Sequence, residues 1–181
     1  MGFARSHLGR TMKNSTHSIL VVDDDLNDLM FIEKAFRMIG VTDPIHAVNG
    51  GREALAYLRG EGKYADRETY AYPTFILTDL KMPDTDGFKV LKFLQDHPEK
   101  AVTPTVVLTG SNNVDDVRKA YLLGATSYHV KPVSPEKLRQ LVKVLHEYWL
   151  TSEVPSFDRT GSSLPSAGNG GVEEKLLQAA G

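Results

Sequence analysis

Five short apolar runs, each followed by a stretch with helical periodicity, constrain the fold of this chain more than any other feature. The runs are rich in β-branched residues and span residues 18–22, 44–48, 74–78, 105–109 and 126–130. Short, continuous apolar runs are typical of strands buried on both faces. Because strands and amphipathic helices alternate, the pattern predicts an α/β fold with a parallel sheet and helices on both faces.

The helix boundaries are also predicted by local residues. Asn49 is a candidate cap for the second helix and Gly60 its stop, while Pro98 is expected to end the third helix. Ser134 should cap the last helix, with Pro135 in its first turn. The alternation covers residues 17–150, which we expect to form one domain. Residues 1–16 are predicted to be disordered and residues 151–181 to form a flexible tail.

Polar residues with complementary chemistry stand where the predicted strands end. Asp23 and Asp24 follow the first run, Asp79 the third, Thr109 ends the fourth, and Lys131 follows the fifth. The carboxyl ends of parallel strands share one edge of a sheet, and ligands bind there. Clustered carboxylates suit a hard cation such as Mg²⁺. With a lysine and a hydroxyl donor beside them, they suit phosphoryl transfer to a carboxylate.

Composition excludes several other classes of protein. The chain has no cysteine, which removes disulfides and thiolate chemistry, and its formal net charge is −2. That charge gives no electrostatic reason to bind nucleic acid or an anionic membrane. No apolar run approaches the roughly 18 residues of a membrane span. We therefore expect a cytoplasmic protein with neither nucleic-acid nor membrane partners.

Four segments together resemble the receiver domain of two-component response regulators, the CheY-like family. They are residues 19–25 (ILVVDDD), 76–87 (ILTDLKMPDTDG), 106–110 (VVLTG) and 124–132 (GATSYHVKP). The positions of Thr109 and Lys131, 30 and 52 residues after Asp79, are also typical of the family. The resemblance implies a flavodoxin-like, doubly wound (βα)5 fold whose five parallel strands lie in the order 2-1-3-4-5.

The resemblance also implies how the chemistry is divided. Asp79 would accept a phosphoryl group from a histidine kinase, and Lys131 would contact that group. Asp23, Asp24 and Asp79 would hold Mg²⁺ or Mn²⁺, with the backbone oxygen of Lys81 as a further ligand. Such a protein is a phosphoacceptor that assists its own phosphorylation and dephosphorylation, and is not counted as an enzyme.

Two further positions are implied to act as a switch. Thr109 would move toward the phosphoryl group, and Tyr128 would turn into the space that it vacates. The surface of the fourth helix, fifth strand and fifth helix would change as a result. Lys81 and Ser111 flank the path of the hydrolytic water, so we expect Lys81 to alter the lifetime of the phosphoryl group.

The long loop at 61–72 and the end of the last helix resemble stand-alone regulators that serve cyanobacterial and bacterial phytochromes. Members of that subgroup pair through the fourth-helix, fifth-strand and fifth-helix face. Tyr121, Tyr148 and Trp149 are candidates for such a homodimer patch, or else belong to the core or its rim.

Two other functions remain open at this point. A haloacid-dehalogenase-type phosphatase also uses a strand-end aspartate with Mg²⁺, and Asp23 and Asp25 could form its first motif, although Asn27 departs from it. Alternatively, Asp25 has a purely structural role as the cap of the first helix. A scaffold that keeps the fold without phosphorylation is the other possibility.

Overall fold

A parallel sheet of five strands forms the centre of the molecule. The computed structural model describes residues 17–152 and 158–162. The strands are β1 (Ile19–Asp23), β2 (Ile45–Asn49), β3 (Phe75–Thr78), β4 (Thr105–Thr109) and β5 (Ser127–Val130). Their order in the sheet is β2-β1-β3-β4-β5, and all four pairings are parallel. The predicted fold class and strand order are confirmed.

In the described residues, five helices lie between the strands and a sixth follows β5. They are α1 (Leu26–Met38), α2 (Gly51–Arg59), α3 (Gly87–Gln95), the single-turn α4 (Pro98–Ala101), α5 (Val114–Leu122) and α6 (Pro135–Thr151), with a 3-10 turn at Gly62–Ala65. The sequence pattern did not predict α4. The predicted fourth and fifth helices are therefore α5 and α6. No helix in the described part of the chain is long and apolar enough to cross a membrane.

Alternate residues of the central strands pack into apolar clusters on opposite faces of the sheet. Val21 of β1 and Leu77 of β3 pack with Phe36 of α1 and Val142 of α6 on one face of the sheet. On the other face, Leu20, Val22 and Ile76 pack against α2 and α3, and a third cluster joins Val107 to α3 and α5. Each such side chain, when fully buried, contributes roughly 1.5–3 kcal/mol. Burial on both faces is why these strands appear in the sequence as continuous apolar runs.

Side-chain caps begin four of the helices. Asp25 accepts a hydrogen bond from Asn27 N at 2.8 Å, which confirms its role as the cap of α1. Ser134 caps α6 with Pro135 in the first turn, also as predicted. Asp86 and Asn113 cap α3 and α5.

Two residues near helix ends do not have their predicted roles, although the predicted end of the third helix at Gln95 is confirmed. The N-cap of α2 is Gly50 and not Asn49, because Asn49 is the last residue of β2 and its N–H donates to Glu53. Pro98 does not end α3. That helix already ends at Gln95, and Pro98 is the first residue of α4, where proline's missing N–H costs no hydrogen bond.

The long loop after α2 is closed by buried hydrogen bonds. Tyr57 donates its hydroxyl to Ala71 O at 2.8 Å, and the Arg67 guanidinium donates to the carbonyls of Tyr57 and Leu58. Residues 158–162, which belong to the predicted tail, form a turn on this loop, where Tyr72 N donates to the carbonyl of residue 159 at 2.9 Å. The rest of the predicted tail beyond Ser152 and the predicted disordered segment 1–16 lie outside the described residues.

Candidate functional site

The carboxyl ends of the strands bring the predicted acidic residues together. Asp23 is the last residue of β1, Asp24 follows it, and Asp79 follows β3, its N–H donating to Val22 O at 2.9 Å. Carboxylate oxygens of these three residues lie within 4.8 Å of one another. Asp23 and Asp79 are buried, with 1% and 6% exposure, whereas Asp24 is exposed. The sheet thus presents two buried carboxylates and one that is open to solvent.

Lys131 lies at the centre of this acidic group. Its Nζ is 2.7 Å from a carboxylate oxygen of each of three residues, Asp23, Asp28 and Asp79. Asp28 was not among the predicted site residues. It lies in the first turn of α1, which begins directly after the aspartates at the end of β1. That position was the only signal in the sequence that could have found it.

The edge of the sheet at the carboxyl ends of the strands carries an excess of negative charge. Four carboxylates, those of Asp23, Asp24, Asp28 and Asp79, surround the single ammonium group of Lys131. Burial raises the pKa of Asp23, and its hydrogen bond to Lys131 only partly opposes that effect. Burial lowers the pKa of Lys131, but hydrogen bonds to its three carboxylates outweigh that effect, so its pKa lies above the ordinary value. The uncompensated negative charge is what a divalent cation would offset.

The two oxygens of Asp79 have different partners. Oδ1 accepts hydrogen bonds from the backbone N–H groups of Leu80 and Lys81, the latter at 3.1 Å, and Oδ2 contacts Lys131. The loop that provides these N–H groups folds back tightly, since a Cβ atom on Gly87 would lie 2.0 Å from the Asp79 carbonyl oxygen. Two backbone donors and one cation therefore fix the orientation of the Asp79 carboxylate.

Thr109 and Tyr128 meet at the backbone of Ser111. The Ser111 N–H donates to Thr109 Oγ1 at 3.4 Å, and the Tyr128 hydroxyl donates to Ser111 O at 3.0 Å. Thr109 is fully buried and Tyr128 is half-buried against the cluster that joins α3 and α5. The structure therefore connects the two predicted switch residues, which lie on neighbouring strands, through the backbone of Ser111.

The side chain of Lys81 points away from the acidic group. Its Nζ lies 2.8 Å from Asp116 Oδ2 in the first turn of α5, and the same oxygen accepts a hydrogen bond from Ser111 Oγ at 2.6 Å. The hydrogen bond from Lys81 holds the pKa of Asp116 below its usual value. Neither this ion pair nor Asp116 was predicted, because Lys81 and Asp116 belong to different βα units.

Comparisons with known proteins agree with this geometry. The family model described as "Response regulator receiver domain" matches residues 19–143. This chain is a member of the response-regulator receiver family. The predicted family resemblance is thus confirmed.

Two curated relatives are similar over most of the receiver. It is 38% identical to the probable methanogenesis regulatory protein FilR2 of Methanothrix harundinacea, over 73% of this chain and 83% of that protein. It is 31% identical to the response regulator Rcp1 of Synechocystis, over 76% of this chain and 91% of Rcp1.

Solved structures of similar proteins include one that carries a phosphoryl group and one that holds a metal. The phosphorylated cyanobacterial phytochrome response regulator RcpA is 36% identical, with a TM-score of 0.71 over 77% of this chain and 99% of RcpA. The Mn²⁺-bound form of Rcp1 is 30% identical, with a TM-score of 0.69 over 77% of this chain and 99% of that one. This receiver is therefore similar in sequence and in structure to regulators of cyanobacterial phytochromes.

The predicted dimer patch is only partly at the surface. Tyr121 on α5 and Tyr148 on α6 are 50% and 60% exposed. Trp149 is half-buried and packs against the core near Phe75, with ring centroids 6.1 Å apart. Trp149 therefore belongs to the rim of the core, while α5, β5 and α6 still expose apolar side chains besides the two tyrosines, among them Leu122, Val130 and Val144.

Proposed function

We propose that this receiver accepts a phosphoryl group on Asp79 from a partner histidine kinase. One carboxylate oxygen of Asp79 forms a bond to phosphorus, the phosphorus–nitrogen bond of the phosphohistidine breaks, and the histidine nitrogen leaves with the electron pair. The observation that supports this most directly is Lys131 Nζ at 2.7 Å from Asp79, within an acidic group that is otherwise in excess. Lys131 would stay beside the transferred group and pair with its oxygens.

A divalent cation fits the acidic group. Asp23, Asp24 and Asp79 offer oxygen ligands close to one another, and so few carboxylates leave room for water and a phosphoryl oxygen, which suits Mg²⁺. The Lys81 carbonyl is proposed as a further ligand, and Mn²⁺ as an alternative ion, supported by the Mn²⁺-bound form of Rcp1. When bound, the ion would neutralise charge on the phosphoryl oxygens.

The response to phosphorylation is proposed to pass through Thr109 and Tyr128. A phosphoryl group adds negative charge and acceptor oxygens. The Thr109 hydroxyl could therefore donate a new hydrogen bond by turning toward Asp79. Because Ser111 contacts both switch residues, a movement of Thr109 would also release Tyr128. The face of α5, β5 and α6 would then change, and its exposed Tyr121 and Tyr148 support a homodimer through that face.

The proposed partner is a kinase of the phytochrome type, in the cytoplasm. This part of the proposal depends on the similarity to RcpA and Rcp1. The similarity to FilR2 shows that related receivers also serve other pathways. Each of a panel of autophosphorylated histidine kinases would be mixed with the receiver. The kinase that transfers its phosphoryl group to Asp79 would be identified as the donor.

Mass spectrometry of the intact protein tests the central claim. Incubation with Mg²⁺ and acetyl phosphate should add one phosphoryl group to the wild type, and none to Asp79→Asn or in the presence of EDTA. Asp84→Asn is the matched control, since Asp84 is an exposed aspartate of the same loop and asparagine tolerates its positive φ of 61°. It should be labelled like the wild type.

The remaining outcomes distinguish the alternatives. Labelling of Asp79→Asn would place the phosphoryl group elsewhere, and no labelling of any protein would favour a scaffold that keeps only the fold. The phosphatase hypothesis has less support, because Asp25 is used as the cap of α1. Turnover of a generic phosphate ester would revive it, whereas we expect a phosphoacceptor that is not an enzyme.

A further inference from the structure

Four side chains connect the phosphoacceptor loop to the switch residues without touching the acidic group. Lys81, which stands two residues after Asp79, pairs with Asp116 at the start of α5. Asp116 in turn accepts a hydrogen bond from Ser111, whose carbonyl receives the Tyr128 hydroxyl. The contacts cross from β3 through α5 to β5, so they join three βα units that are remote in sequence.

We propose that Asp116 is a positioning residue that holds the Lys81 ammonium away from Asp79 and thereby sets the lifetime of the phosphoryl group. This inference rests on the proposed function of Asp79. The backbone N–H of Lys81 is 3.1 Å from Asp79 Oδ1, so its flexible side chain starts beside the phosphorylation site. The ammonium is nevertheless 2.8 Å from Asp116, and that contact is what keeps it on the α5 side.

The reaction that this arrangement would control is hydrolysis of the aspartyl phosphate. A water oxygen bonds to phosphorus, the bond between phosphorus and the Asp79 oxygen breaks, and the carboxylate leaves with the electron pair. The water's proton passes to solvent or to the departing inorganic phosphate. A lysine side chain lying across the phosphoryl group would block the water's approach, and one held by Asp116 leaves that approach open.

Asp116 and a phosphoryl group on Asp79 would compete for the Lys81 ammonium. Asp116 Oδ2 serves both Lys81 and Ser111, and its side chain is 15% exposed, whereas that of Lys81 is 58% exposed and free to change partner. A phosphoryl group on Asp79 brings new negative charge beside the base of the lysine. The 2.8 Å contact with Asp116 opposes that attraction and keeps the ammonium on the α5 side.

Decay of the phosphorylated protein tests the proposal. After labelling with acetyl phosphate and removal of the donor, the intact mass is followed in time for the wild type and for Asp116→Asn. We expect the phosphoryl group to last at least threefold longer in Asp116→Asn, because the released ammonium can cover it. Asp116→Glu, which keeps the charge, should decay nearly as fast as the wild type.

Two further variants separate positioning from a general structural effect. Asp115→Asn is the matched control on the same helical turn, where only the backbone N–H of residue 115 bonds to the Asn113 cap. It should decay like the wild type. In a Lys81→Met background, Asp116→Asn should have no further effect, because no ammonium is left to release.

The outcomes distinguish this inference from the proposed function. Equal decay of the wild type and Asp116→Asn, with both proteins labelled, would overturn the role of Asp116 and leave Asp79 as the phosphoacceptor. A persistent effect of Asp116→Asn in the Lys81→Met background would also overturn it. No labelling of the wild type by acetyl phosphate or by a kinase would refute the proposed function, and the inference with it.

Discussion

Replacing Asp23 by asparagine should make the metal-free protein more stable and its response to Mg²⁺ weaker. Asp23 is 1% exposed, and it is one of three carboxylates that share Lys131, with the Asp24 carboxylate also close by. Asparagine has nearly the same shape and no charge. Lys131 keeps two other carboxylates, those of Asp28 and Asp79, so the substitution does not leave the ammonium unpaired.

Coulomb energies show why the burial of Asp23 decides whether Asp23→Asn stabilises or destabilises the protein. At an effective dielectric constant of about 20, the 2.7 Å contact with Lys131 stabilises the Asp23 carboxylate by about 6 kcal/mol. The Asp79 carboxylate has an oxygen within 4.8 Å, so its repulsion costs at least about 3.5 kcal/mol, and the repulsion from Asp24 is screened by solvent. These opposing effects nearly cancel. The desolvation of a buried ion, which costs several kcal/mol, remains.

We therefore expect the free energy of unfolding of metal-free Asp23→Asn to exceed that of the wild type by about 1–3 kcal/mol. In a domain of this size each kcal/mol raises the midpoint by roughly 2–4 °C. Mg²⁺ at a hundred times its dissociation constant should stabilise the wild type by about 2.7 kcal/mol. The variant, which lacks a ligand, should gain much less.

Thermal unfolding followed by circular dichroism, with and without Mg²⁺, measures both effects. Asp25→Asn is the matched control, because asparagine also caps helices and Asp25 is not in the metal group. Equal stabilisation of the wild type and Asp23→Asn by Mg²⁺ would mean that Asp23 is not a ligand. A less stable metal-free variant would show that the contact with Lys131 outweighs the cost of burial.

The same carboxylate predicts how stability depends on pH. The folded-state pKa of Asp23 is raised above its ordinary value of 3.8, mainly because the group is buried. The folded state therefore binds this proton more tightly than the unfolded chain does. Its contribution to stability is fully present below pH 3.8 and is lost as the pH rises through the folded-state pKa. The difference between wild type and Asp23→Asn should shrink accordingly in acid without metal.

Two other substitutions test the frame around the site. Gly87→Ala should destabilise the protein by about 1–3 kcal/mol and impair labelling, because the new methyl group would lie 2.0 Å from the Asp79 carbonyl oxygen. Gly110→Ala, where the methyl group meets open space, should be tolerated, and equal urea midpoints for the two variants would contradict the packing argument. Tyr57→Phe should cost about 0.5–1.5 kcal/mol, since it removes the 2.8 Å hydrogen bond to the buried Ala71 carbonyl, which still accepts one from Ser18 Oγ at 3.3 Å. An unchanged urea midpoint would show that this bond does not hold the long loop.

Local patterns in the sequence were sufficient to predict the sheet. The apolar runs at 18–22 and 74–78 lie within one residue of the strands Ile19–Asp23 and Phe75–Thr78, because burial on both faces requires continuous apolar residues wherever the strand lies. Caps such as Asp25 and Ser134 were equally predictable, since a cap and the N–H it accepts from are neighbours in the chain. The one-turn helix α4 escaped prediction, because four residues are too few to show a period.

The positions of the acidic residues followed from topology alone. Once the strands are parallel, Asp23, Asp79 and Thr109 must lie at one edge of the sheet. What each side chain contacts there did not follow. Lys131 reaches Asp28 across 103 residues of sequence, and Lys81 pairs with Asp116 on a different helix.

Tertiary structure decided those partners because they depend on the distance between elements and on the direction of each side chain, which no local period encodes. The same holds for Trp149, whose ring packs near Phe75 in a core that only the docking of α6 on the sheet creates. Local patterns and parallel strand topology therefore predict which strands form and at which edge the polar groups lie. The packing of the elements decides which carboxylates contact Lys131, and it pairs Lys81 with Asp116.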